Sequence, residues 1–254
     1  MRFKLGRKRP LATVPQLKLK RYLLHSLAPP PGTVDYSAKA QKTLSDILGN
    51  GDVGDCTVAA AFHVQDVLLT NSNAPASSDL SAANAIKLYY HLTGGADSGL
   101  DEMLVLNYWQ SNGLGPGDKH KIYGYVGVDP TNEIEMKTAL YLFENLYFGM
   151  QLPADYVAAM ETMADGFVWG LAGPPVPANG HAFMGMAYDS RGVTIDTWGI
   201  LGKFSYDAIA YYCSENQGGQ LFSVLSSDAI DRGTRKAPNG CSWLQLRADL
   251  QVFS

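Results

Sequence analysis

The chain has 254 residues, 46% of them apolar and 17% charged, with a net charge of −4, a balance expected of a soluble globular protein rather than a fibrous or disordered one. No apolar run approaches the ~20 residues of a membrane span, and three cysteines without CxxC spacing exclude a disulfide framework and favour a reducing, cytosolic-type compartment. The charge is uneven: residues 1–21 carry eight Lys or Arg and no acid, leaving twelve basic and twenty-four acidic residues for the remainder.

The basic arm 1–21 belongs to an extension over 1–33 that ends in the stiff PPPG of Pro29 to Gly32. Such an arm on an acidic body suits an acidic partner surface, nucleic acid, an assembly, or the body itself. Its apolar patch YLLHSLA is short and interrupted by His25, so no secretory signal is expected.

The next segment, GNGDVGDCTVAAAFH from Gly49 to His63, runs from a polar, glycine-rich loop into small and apolar residues. Asp55 is a capping residue for a helix starting at Cys56, with Val58, Phe62, Gln65 and Leu69 on one face. Further helices are expected at about 79–92, closed by Gly94–Gly95, at about 100–111, and at about 132–145, where Asn132 and Glu135 have capping-box spacing.

Strand signals then take over. LYFGMQL (146–152), HAFMGMAY (181–188) and VTIDTW (193–198) read as strands, the last two joined by the turn DSRG. Residues 153–179 hold one helix and then the loop GPPVPANG. GKFSY and QLFSVLS read as strands with the helix AIAYYC between them, and a turn-rich stretch from Ser227 leads to a short helix near WLQLRADL. Helices first and strands second give an α+β protein of two packed lobes.

Cys56 stands at a helix start, where the dipole and the unpaired N–H groups favour a thiolate and can face an oxyanion. It needs a base. His63 lies two helical turns on, roughly 10 Å away and too far for direct proton exchange; His25, His91 and His120 read as surface or packing residues. His181 follows a glycine-rich loop and opens a strand. Asp196 is on the next strand, and an even-numbered connection puts residues 181 and 196 on one face, though direct contact needs a tight turn or a bulge, for instance at Gly185.

The order Cys56, His181, Asp196, with VDYSAKA (34–40), ILGNGDVGDCTVAAAF, GHAFMGMAY and VTIDTWG around them, resembles the papain-like cysteine peptidases over about 34–226. The overall pattern of GDCT, GHA and TWG also resembles a group of bacterial and phage proteins. The resemblance implies a two-lobed α+β fold with an N-terminal helical lobe (about 34–145), a C-terminal antiparallel β lobe (about 146–226) and an added segment, 227–254. It implies Cys56 as nucleophile, His181 as its proton partner, Asp196 as the group orienting the imidazole, Asn50 as the oxyanion-hole amide and Trp198 as the shield of the histidine's hydrogen bond. Through TGGADSGLDEMLVLNYWQSNGL it places Gly94, Gly95 and Met184 on the substrate side. Asn50 stands where the family has Gln, and Asp196 where it has Asn. Cys213 and Cys241 have no matching role and read as packing residues.

Two functions fit this reading. One is a thiol hydrolase (peptidase, isopeptidase or amidase) acting on a peptide or protein, in the bacterial cytoplasm or carried on a virion. The other is a structural or interaction protein, such as a phage virion component, on the same scaffold. Neither calls for a cofactor, and no HxH, HExxH or acidic-loop pattern suggests a metal.

Overall fold

The computed structural model describes residues 3–10, 16–117 and 119–252. In chain order the elements are β1 (Val34–Asp35), α1 (Gln41–Leu44), α2 (Cys56–Asn71), α3 (Ala82–Thr93), α4 (Glu102–Asn112), β2 (Gly124–Gly127), α5 (Glu133–Phe143) and β3 (Leu146–Pro153). There follow α6 (Ala154–Ala159), β4 (Phe167–Trp169), β5 (Pro175–Tyr188), β6 (Gly192–Thr197), β7 (Ile200–Ser205), α7 (Tyr206–Tyr212), β8 (Gln220–Leu225), α8 (Ser227–Lys236) and α9 (Trp243–Val252).

The strands form one sheet in the order β2-β8-β3-β5-β6-β7-β4, and β1 adds to the end of β5 opposite Tyr188 and Ala187. Pairing is antiparallel except between β4 and β7, which run parallel. One face packs on α2, α3 and α4 through Val58, Phe62, Tyr89, Trp109, Tyr147 and Met186. The other face builds a second core with Leu140, Phe143, Phe183, Phe204, Ile230 and Leu246. The α+β architecture expected from the sequence is therefore present, with α5 joining the core on the far side of the sheet.

Local chemistry explains most boundaries. Asp101 caps α4 by accepting from the Met103 N–H at 2.7 Å, and Gly94 ends α3 in the left-handed region at φ 69°. Asn132 caps α5 through the Glu135 N–H, while the Glu135 carboxylate accepts from the Asp129 N–H at 3.2 Å instead of closing the box. Helix α2 is buried on every side from Cys56 to Leu68, so the one-sided apolar pattern understated a helix that lies between α3, α4 and the sheet.

Two expectations change. GPPVPANG is not a loop: from Pro175 it forms the first half of β5, with Gln151 opposite Gly180 on β3. The stretch after Ser227 is not turn-rich but helical, capped by the Ser226 hydroxyl, and its Arg232 and Lys236 bind the buried Glu144 carboxylate at 2.8 and 2.9 Å. The described parts of the basic arm lie on the body, one of the placements left open by the sequence. Leu17, Leu19 and Tyr22 are buried in the core, and Lys18 and Leu23 make single bridges to Gly127 and Cys241.

Candidate active site

Cys56 is the first residue of α2, as the sequence suggested, and is buried. The capping expectation for Asp55 fails, because its side chain makes no cap hydrogen bond. Its carboxyl is instead enclosed, and burial pushes its pKa up to about 8, with the Asn50 amide opposing the shift. Burial also pushes the Cys56 thiol up to about 12, opposed by the backbone N–H groups of Ala182 and Gly6 that approach the sulfur. The Ala182 contact brings the thiol against β5 one residue beyond His181.

His181 is buried, and its Nε2 shares a hydrogen bond with Thr197 Oγ1 at 2.6 Å. Its ring stacks on Trp198 with centroids 4.0 Å apart and planes at 15°. Burial holds the His181 pKa down at about 3. Nδ1 has no hydrogen-bond partner among the described residues.

Asp196 does not meet His181. The register between β5 and β6 shifts between Gly185 and Ala187, which pairs Asp196 with Met184, three residues from the histidine. The shift occurs where a bulge was expected, but its extra residue reverses the parity. Asp196 therefore faces α2, where it pairs with Nδ1 of His63, and Thr197 reaches His181. Burial pushes the Asp196 carboxyl up and His63 pulls it back. On His63 burial acts downward but is outweighed by Asp196, leaving the imidazole raised.

The other expected residues divide. Asn50 is buried beside Asp55, its amide donating to the Val53 carbonyl at 3.2 Å, so its side chain is turned into its own loop. Met184 is fully buried in the core shared with α2–α4. Gly94 and Gly95 form the exposed turn that ends α3. Gly99 and Leu100, rather than Gly94 and Gly95, lie against the backbone of residues 6–8, and the third glycine of TGGADSGL is their only signal in the sequence. Asp97 ties this segment to the loop before Cys56 by accepting from the Gly54 N–H at 2.9 Å, and to α3 by accepting from the Tyr89 hydroxyl at 2.6 Å.

The space between the lobes is filled by the chain's own N-terminal segment. Phe3 is buried and stacks on Trp198 at 5.2 Å. The Lys4 N–H donates to the Asn50 carbonyl at 2.8 Å, and the Trp198 indole donates to the Lys4 carbonyl at 3.0 Å. The Arg7 N–H donates to the Gly180 carbonyl at 3.0 Å, while Leu100 and the segment exchange two bonds, Leu100 N–H to Gly6 O and Lys8 N–H to Leu100 O, both at 2.8 Å. Gly99 and Gly180 permit this approach, because a Cβ on either would collide with the Gly6 or Arg7 backbone. The dominant positive charge of the arm is thus laid, in part, on the body itself.

No sequence-family model and no curated protein sequence matches this chain. Solved structures do. Xylellain, a cysteine protease from Xylella fastidiosa, superposes with a TM-score of 0.69 at 16% identity over 89% of this chain and 97% of that one. Procathepsin L2 from the Tenebrio molitor larval midgut gives 0.63 at 12% identity over 88% and 78%, and the Carica candamarcensis cysteine protease CMS1MS2 gives 0.53 at 14% over 77% and 99%. With the helix that begins at Cys56 packed on the strand that carries His181, and with these neighbours, the chain has the fold of the papain-like cysteine peptidases.

Proposed function

We propose that the protein is a papain-like thiol hydrolase held closed by its own N-terminal segment. The observation that carries this reading is the meeting of the Cys56 thiol, at the start of α2, with β5 beside a His181 fixed between Thr197 and Trp198. With Nε2–H donating to Thr197, Nδ1 is the nitrogen that takes the thiol proton. The thiolate then attacks an acyl carbon, and His181 returns the proton to the leaving amine. The developing oxyanion is met by the Cys56 N–H and the α2 N-terminus, with the Asn50 amide turning away from Val53 to join them. Water releases the product. Peptides, isopeptides and primary amides all satisfy this chemistry.

The closed state does not itself favour an ion pair. Burial keeps the thiol and the imidazole neutral, and the Gly6 N–H, not a carbonyl carbon, faces the sulfur. The same facts favour a second reading, a structural or virion-borne component on an inactive scaffold.

Iodoacetamide labelling of Cys56 against pH separates the two. In wild type the reaction is expected to be slow. In Phe3→Ala, where the segment is loosened, it should be fast well below the pKa of a free thiol, and His181→Ala should remove that advantage. Labelling of Phe3→Ala that follows an ordinary thiol titration, unchanged by His181→Ala, would support the structural reading.

A further inference from the structure

The N-terminal segment does more than fill the cleft; its Arg7 side chain occupies a buried receptor. The guanidinium pairs with Glu102 through Nε, and Nη1 donates to Gln151 Oε1 at 2.5 Å and to the Gly218 carbonyl at 2.8 Å. Arg7 is 4% exposed and Glu102 0%. We propose that this pocket is a specificity site for an arginine side chain of the substrate, which Arg7 occupies in the closed protein. The inference rests on the thiol-hydrolase reading and names the substrate class for it.

The pocket is built from four elements that the segment itself does not supply. Glu102 stands in the first turn of α4, Gln151 on β3 and Gly218 in the left-handed position before β8. Gln151 donates its amide N–H to the Pro177 carbonyl of β5 at 3.1 Å, which turns its oxygen toward the guanidinium. All three groups facing Arg7 are therefore acceptors, fixed by the body of the protein. Gly149, next to them on β3, has no side chain, and a Cβ there would collide with the Glu102 carboxylate and with Arg7 Nε.

Three acceptors spread over two guanidinium nitrogens select a planar fork over the point charge of an ammonium. Displacement of the segment leaves the Glu102 carboxylate buried without its counter-charge, a costly state that an incoming cation relieves. Arg7 Nη2 and Glu102 Oε2 each lack a hydrogen-bond partner among the described residues, so a guanidinium delivered on another backbone has a further bond to make. The pocket also opens where a peptide would lie. Its mouth is the gap between the Gly180 carbonyl and the Leu100 N–H and C=O, the two backbone edges that now hold residues 6–8.

The test uses the full chain carrying Arg7→Ala, which empties the pocket. Fluorescent peptides with one arginine, placed at each position in turn, are compared with peptides carrying citrulline, a neutral isostere, at the same position. Binding is measured in Cys56→Ala/Arg7→Ala and cleavage in Arg7→Ala. At one position arginine should bind about 10- to 100-fold more tightly than citrulline, the range of a charge-assisted hydrogen bond, and Glu102→Gln should abolish the difference. Equal binding of arginine and citrulline at every position overturns the proposal. Arginine-selective binding without cleavage retains the pocket and removes the hydrolase. If Arg7→Ala does not fold, Arg7→Gln, which keeps an amide donor, supports the same comparison. A rise in Tm of that variant with N-acetyl-arginine amide but not N-acetyl-citrulline amide gives the expected result without catalysis, and equal effects give the opposite one.

Discussion

Thr197 and His181 are joined by a hydrogen bond of 2.6 Å, and the neighbouring Asp196, which the sequence offered as the histidine's partner, is joined to His63 on the opposite face of β6. The cause is the register shift at Gly185–Ala187. It sends successive residues of one strand to two tasks: Thr197 orients the imidazole of the site, and Asp196 fastens β6 to the helix that carries Cys56.

Thr197→Val keeps the shape of the side chain and removes the hydroxyl. His181 then loses the bond that fixes its tautomer. The rate of Cys56 labelling in a Phe3→Ala background should fall by about 10-fold, the worth of one orienting hydrogen bond, with Tm little changed, and Thr197→Ser should restore most of it. Kinetics against pH, with Tm recorded beside them, provide the check.

Asp196→Asn should act on stability instead. It breaks a buried charged pair, and the expected loss is about 3 kcal/mol, read by urea unfolding. His63→Gln should cost a similar amount, and the double variant less than the two together, because the second change removes a group already left alone. The apparent pKa of Cys56 labelling should stay where it is in the parent, since neither residue touches His181.

Phe3→Ala should open the cleft. Truncating a fully buried ring that stacks on Trp198 costs about 3 kcal/mol, so the open fraction should rise by roughly 100-fold. Iodoacetamide labelling at neutral pH and susceptibility of residues 1–10 to trypsin should both increase. Unchanged labelling would mean that the segment is not what covers Cys56.

Stability should decline on both sides of a mildly acidic optimum. His181, held near 3 by burial, binds fewer protons folded than unfolded below its ordinary value, so its contribution is lost as pH falls from ~6.5 toward ~3. Asp55, raised to about 8, binds more protons folded than unfolded, so its contribution is lost as pH rises from ~4 through ~8. Each group accounts for up to about 1.4 kcal/mol per pH unit in its window. Unfolding measured across pH should therefore lose part of its acid slope in His181→Gln and part of its alkaline slope in Asp55→Asn.

The elements nearest to the chemistry were legible in the sequence because their signals are local. A glycine-rich loop ahead of AAAF places the α2 boundary at Cys56, Gly94 terminates α3, and DSRG turns β5 into β6. GPPVPANG misled because its prolines suggest a loop, yet the Gly180 end lies against β3 and the segment becomes strand through that pairing. The stretch after Ser227 misled because its helix is sustained by Glu144, a residue of another element, through Arg232 and Lys236.

The sequence by itself determined the ordered parts: a cysteine at a helix start, a histidine opening a strand, a tryptophan following the next strand, and a basic arm on an acidic body. These follow from spacing, capping and charge along the chain. Only the tertiary structure decided which of them meet. One extra residue in a strand reverses every side chain beyond it, and that local shift gave His181 to Thr197 and Asp196 to His63. The destination of Arg7 was equally a matter of packing. Its three acceptors are separated from it by 95, 144 and 211 residues, and only the closing of the fold brings them around one guanidinium.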